Sequence, residues 1–117
     1  LEQADIVAIH VPYLRSTHHL IDEQRIGRMK QGSLLINTSR ADVVDGKALL
    51  KAIREGRVAG AGLDVFHDEP PVEDWEKELV ALQNGRSVCT PHIGAQTHEC
   101  QRLESLTVAQ EIIRLFG

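Results

Sequence analysis

Three side chains in this sequence have the chemistry of an acid/base site, and each follows an apolar run. Arg40 closes LLINTSR, Glu69 stands ahead of Pro70 in LDVFHDEP, and His92 lies in TPHIGA. An arginine fork grips a carboxylate through two parallel bonds and polarises a neighbouring carbonyl. A histidine moves a proton near neutral pH, and an adjacent carboxylate favours and orients its imidazolium. Together the three suit interconversion of a 2-hydroxy acid and a 2-keto acid. Taken singly, each has a plainer reading: Arg40 as a solvated charge past a strand, Asp68-Glu69 as an acidic turn, and His92 as a structural histidine beside Pro91. His10, His18, His19, His67 and His98 have no metal-ligand spacing and read as structural or solvent-facing, so no metal is expected. Cys89 and Cys100 lack paired spacing and read as reduced thiols of a cytoplasmic protein, without a disulfide.

The elements that must position these side chains follow from the apolar pattern. Four β-rich runs, 5–11 (DIVAIHV), 33–37 (SLLIN), 60–66 (GAGLDVF) and 87–90 (SVCT), are spaced at about the length of a βαβ unit. Their apolar residues are nearly continuous, the pattern of parallel strands covered on both faces. Asp22 and Asp45 are N-cap candidates for helices that Gly32 and Gly56 would end, and Ala48, Leu49, Ala52 and Ile53 form the clearest apolar stripe. The acidic, double-proline connection of residues 67–86 predicts a loop and a short helix around Trp75, Leu79 and Leu82. Thr97 caps a last predicted helix whose Leu103, Leu106, Ala109, Ile112, Ile113 and Phe116 keep a helical period. The predicted fold is a partial Rossmann-like, doubly wound α/β sheet of about four parallel strands. All strand C-termini then share one edge, bringing Thr38-Ser39-Arg40, Asp64 with Glu69, and His92 together.

At 117 residues the chain is sized for one domain. Its 13 Lys+Arg against 17 Asp+Glu give a net charge of −4, which argues against a general nucleic-acid or anionic-membrane binder. No apolar run approaches the roughly 18 residues of a membrane span. Gly60-Ala61-Gly62 enters a strand instead of leaving one, so it is no dinucleotide fingerprint and is read as permitting close strand packing.

The residues 34–71, LLINTSRADVVDGKALLKAIREGRVAGAGLDVFHDEPP, resemble the long signature of the D-isomer-specific 2-hydroxyacid dehydrogenases almost end to end. TPHIGAQT resembles that family's histidine motif, and HVPYLRSTHHLID its segment after the fourth Rossmann strand. The resemblance implies an NAD-dependent oxidoreductase acting on a small 2-hydroxy or 2-keto acid. It implies that Arg40 binds the substrate's carboxylate and carbonyl, that His92 is the acid/base, and that Glu69 pairs with His92. It further implies that Asp64 meets the nicotinamide carboxamide, that Val11 lies on the adenosine side, and that Thr38, Ser39, Ile93, Gly94 and Ala95 line the cofactor. The GAQTHECQ run is closest to the 3-phosphoglycerate dehydrogenases of serine biosynthesis.

Ala41 stands where the family has glycine, and the connection from Glu69 to His92 is longer than in the family pattern. The resemblance makes residues 1–117 the C-terminal part of the dinucleotide-binding domain, with an exit helix over about 97–116. The GxGxxG half and the substrate domain would lie outside it. Without the helix N-terminus that holds the pyrophosphate, the isolated chain is expected to be inactive. Strand 5–11 would be an open apolar edge, which predicts homo-oligomers formed through it. A dinucleotide-sensing regulator of the corepressor type, with the same fold and motifs, is the alternative to an enzyme.

Overall fold

The computed structural model describes residues 1–82 and 85–117; Gln83 and Asn84, in the third connection, lie outside the described residues. Four parallel strands, β1 (Ile6–Ile9), β2 (Ser33–Asn37), β3 (Val58–Leu63) and β4 (Ser87–Cys89), form one sheet in the order β1-β2-β3-β4. Helices α1 (Glu23–Gly27), α2 (Gly46–Arg54) and α3 (Asp74–Val80) make the crossovers, and α4 (His98–Phe116) follows. Among the described residues no helix is long and apolar enough to cross a membrane.

Parallel crossovers are right-handed, and these strands advance in a single direction, so α1, α2 and α3 fall on one face of the sheet. The register agrees. Leu35 pairs with Val7 and Ala61 on the helix-covered face, and Leu35, Ile53 and Val58 have no exposed surface. Ile6, Leu34 and Val88 share the opposite face and are exposed at 55%, 41% and 64%. The unbroken apolar runs predict cover on both faces; the described helices α1 to α3 cover only one.

The helix starts follow the predicted N-caps, but α1 ends at Gly27 with Arg28 as its C-cap, well before the predicted stop at Gly32. Asp22 accepts from the Arg25 amide at 2.8 Å and Asp45 from the Ala48 amide at 3.0 Å, each satisfying an amide that the first helical turn leaves free. At the end of α2, the Gly56 amide donates to Ile53 and the Arg57 amide to Ala52, with Gly56 at φ 72°. This paired closure needs a left-handed residue, which glycine supplies without steric cost. Ala48, Leu49, Ala52 and Ile53 are all buried, so the predicted stripe is the face that packs on the sheet.

The strand boundaries also differ from expectation. β3 begins two residues early, because the closure at Gly56 returns the chain to the sheet at once, and it ends at Leu63. Asp64 therefore lies just beyond the strand, where its carboxylate turns toward the exit of β4. β1 is also shorter, running only to Ile9, ahead of Pro12, which has no N–H to extend the ladder. α4 is capped by Thr97 as predicted, its hydroxyl accepting from the Cys100 amide at 3.2 Å. The apolar residues of α4 stay exposed, from 49% at Leu106 to 85% at Phe116, and the helix contributes no buried residue.

Gly60 carries the close approach expected of it: a Cβ there would lie 2.6 Å from the Arg86 carbonyl oxygen, whereas one on Gly62 would meet only the Ile36 side chain at 3.7 Å. Gly60→Ala is expected to cost about 1–3 kcal/mol, because backbone must move to admit the methyl. Gly62→Ala is expected to be tolerated. Indistinguishable urea midpoints for the two variants would refute this account.

Candidate active site at the C-terminal edge of the sheet

The turn that carries Arg40 is wrapped around one buried amide. Asn37 ends β2 with 1% exposure; its Oδ1 accepts from the Ser39 amide at 3.0 Å and hydroxyl at 2.9 Å, and its Nδ2 donates to the Arg40 carbonyl at 2.9 Å. Short polar side chains form such local closures readily, and here the closure fixes the backbone on which Arg40 is mounted. Arg40 Nη1 donates to the Ser39 carbonyl at 2.6 Å, and Thr38 Oγ1 lies 3.2 Å from His10 Nδ1. Ala41 opens a one-turn 3-10 segment, Ala41–Val43, and does not adopt a positive φ. The glycine of the family pattern is therefore not required at this position.

A cavity of about 700 Å³ lies over this turn, walled by residues 10–13 after β1, 38–42 after β2, and Phe66 and His67 after β3. Val11, Thr38, Ser39 and Arg40 all line it.

His92 and Glu69 meet in a second cavity, of about 420 Å³, alongside Asp64. His92 Nδ1 is 2.9 Å from each carboxylate oxygen of Glu69, so the longer connection between them still closes. That contact leaves Nε2 as the ring nitrogen available to a substrate, with the carboxylate placed to stabilise a charged ring. Asp64 Oδ1 accepts from the His92 amide at 3.1 Å and from the Thr90 hydroxyl. His92 itself sits at φ 52°, a left-handed conformation uncommon outside glycine. The hydrogen bond that its backbone N–H donates to Asp64 helps hold it there.

The structure thus joins Glu69 to His92 directly and places Arg40 in the neighbouring cavity, with Phe66 in the wall of both. Ile93 is half exposed and Gly94 and Ala95 begin a 3-10 turn, Gly94–Gln96; these three line neither cavity. Cys89 lines the His92 cavity, and burial raises its thiol pKa, partly opposed by a bond to Ser87. Cys100 is raised chiefly by its bond to Glu104. Neither is activated as a nucleophile. His67, read from sequence as structural or solvent-facing, takes the structural role: its Nδ1 lies 3.1 Å from Asp42. Twenty-five residues separate the two in sequence, and only adjacency of β2 and β3 brings their loops together.

The family described as "D-isomer specific 2-hydroxyacid dehydrogenase, NAD binding domain" matches residues 1–94. The chain belongs to this family. It is 39% identical to a hydroxypyruvate reductase of Thermotoga maritima, covering 99% of this chain and 37% of that one. It is 45% identical to a glyoxylate reductase of Thermococcus litoralis, covering 97% and 33%. A D-3-phosphoglycerate dehydrogenase of Bacillus subtilis is 40% identical, covering 97% and 21%. Among solved structures, an NAD-complexed D-isomer specific 2-hydroxyacid dehydrogenase from Lactobacillus delbrueckii superposes with a TM-score of 0.84 at 32% identity, covering 100% of this chain and 39% of that one. The chain therefore spans about a third of the length of the first two relatives.

A dinucleotide fits the Arg40 cavity in kind. The volume is that of a small-molecule site, with hydroxyl-bearing Thr38 and Ser39 on one side and apolar Val11 and Pro12 on the other. Gly60 and Gly62 lie inside β3 and offer no phosphate cradle.

The left-handed His92 should be measurable in variants. Both His92→Gly and His92→Ala remove the bond to Glu69, but only glycine relieves the backbone. His92→Gly is expected to be more stable than His92→Ala by about 1 kcal/mol in urea unfolding. An alanine variant equal to or better than the glycine variant would contradict the reading of strain at this residue.

Proposed function

We propose that these residues serve an NAD-dependent dehydrogenase that interconverts a D-2-hydroxy acid and its 2-keto acid. The observation that carries the proposal is the Glu69 carboxylate gripping His92 Nδ1 through both oxygens, one cavity away from the exposed end of Arg40. In this reading the Arg40 guanidinium binds the substrate carboxylate and polarises the C2 carbonyl. His92 Nε2 gives a proton to the C2 oxygen during reduction and takes it back during oxidation, and Glu69 keeps the charged ring oriented. NAD supplies the hydride chemistry when bound. Val11 and Thr38-Ser39 would hold it from the Arg40 cavity, Asp64 from beside His92, and Ile93, Gly94 and Ala95 from the turn beyond.

The substrate is a small 2-hydroxy or 2-keto acid. The GAQTHECQ run supports 3-phosphoglycerate as the substrate to test first, and the names of the Thermotoga maritima and Thermococcus litoralis relatives support hydroxypyruvate and glyoxylate beside it. The unpaired thiols suit a reducing compartment, which supports a cytoplasmic protein.

The test is absorbance at 340 nm with these acids, on the protein including whatever sequence flanks these residues in its gene. Arg40→Ala and His92→Ala are each expected to lower kcat/KM by about 10²–10⁴-fold. Arg40→Lys should not restore the rate, since a lysine cannot form the planar fork. Wild-type rates in either alanine variant would sink the assignment.

We also propose that copies associate through the open side of β1, which among the described residues pairs only with β2. Light scattering at high concentration should then show a dimer or larger species. A monodisperse monomer would rule this out.

A further inference from the structure

The two cavities of the site sit on separate loops, and one residue links the loops through bonds that the proposed reaction does not use. His67 lies two residues before Glu69, and its Nδ1 is 3.1 Å from Oδ1 of Asp42, two residues after Arg40. Its backbone amide donates at 2.9 Å to Oε1 of Glu76 on α3, a glutamate with no exposed surface. Its ring stands edge-on to Trp75, with centroids 5.7 Å apart and planes at 71°. Trp75 in turn lies so close over the start of α2 that a Cβ on Gly46 would come within 2.3 Å of its ring. Asp42 is held from its other side, its carbonyl accepting from the His19 amide at 2.7 Å.

His67 is therefore fixed at its backbone by α3 and at its ring by the turn that carries Arg40. The other Glu76 oxygen, Oε2, is buried with no hydrogen-bond partner among the described residues, beside a cavity of about 20 Å³, room for about one water. That buried carboxylate anchors the His67 backbone from inside the fold, so the strap is pulled from a rigid point and not from a surface loop.

We propose that His67 is a positioning residue: the strap Glu76–His67–Asp42 sets the separation between the Arg40 turn and the Glu69–His92 pair. It rests on the active-site reading above for its purpose, since a substrate held by Arg40 at one end and His92 at the other demands a fixed span. The strap itself is a property of the folded chain and is measurable without a substrate.

The experiment is hydrogen exchange by NMR on the full 117-residue chain. His67→Phe keeps a ring against Trp75 and removes the donor to Asp42. His67→Asn places an amide N–H where Nδ1 stands. Exchange of the Val43 and Val44 amides, which close the turn after Arg40, should speed up about tenfold in His67→Phe and return to within about twofold of wild type in His67→Asn. Protection within α2 should stay unchanged in both. Unchanged exchange at Val43 and Val44 in His67→Phe, or failure of His67→Asn to restore it, overturns the proposal. If His67→Phe does not fold, Asp42→Ala must produce the same local loss, and its absence there overturns the proposal equally.

A second arm uses oxalate, a two-carbon dianion shaped like the carboxylate end of a 2-keto acid. Shifts at both the Arg40 Nε–H and the His92 ring on titration support the active-site reading, and their absence counts against that reading alone. The exchange result stands apart from it.

Discussion

Neighbouring parallel strands joined by right-handed crossovers leave the chain little choice. Every return must run along the same side of the sheet, and every strand must end on the same edge. The first consequence gathers α1, α2 and α3 into one layer over Leu35, Ala61 and Leu63. The second places three loops, each carrying different polar side chains, within reach of one another. Residues as far apart in the chain as His10 and His67 come to line one cavity without any local signal between them.

What the topology brings near, single side chains then fix. Asn37 and Asp64 do comparable work at the ends of adjacent strands: each uses side-chain oxygens to capture amides of a loop, one shaping the turn of Arg40 and the other seating His92. Buried acceptors are costly if left unmet, so bonds of this kind define a geometry more sharply than their modest net stability suggests. The left-handed backbone at His92 persists because such a bond holds it. The functional loops are thus positioned by the strand ends themselves.

The sequence carried much of this. Asp22, Asp45 and Thr97 each cap the helix their side chains suggest, because an N-cap is a local bond written in neighbouring residues. The α2 stripe was legible for the same reason. The strand pattern brought Glu69 and His92 to one sheet edge, but their direct pairing was legible only through likeness to a family, since 23 residues and a helix separate them. Glu76 was not legible at all, and His67 only as one of two plain readings: a charged residue in an acidic stretch reads as solvated, and nothing in EDWEKELV marks the one carboxylate that turns inward. The exposure of the second sheet face was missed because apolar strands look alike whether that face is covered or not.

In the 117-residue chain taken by itself, the exposed apolar face of Ile6, Leu34 and Val88 and the exposed helix α4 shape the thermodynamics as well as the contacts. Surface already hydrated in the folded state adds nothing when the chain unfolds. The heat-capacity increment of unfolding and the denaturant slope both scale with newly exposed surface, so both fall below those of a domain of equal length with two covered faces. The stability curve is accordingly flatter and the unfolding transition broader.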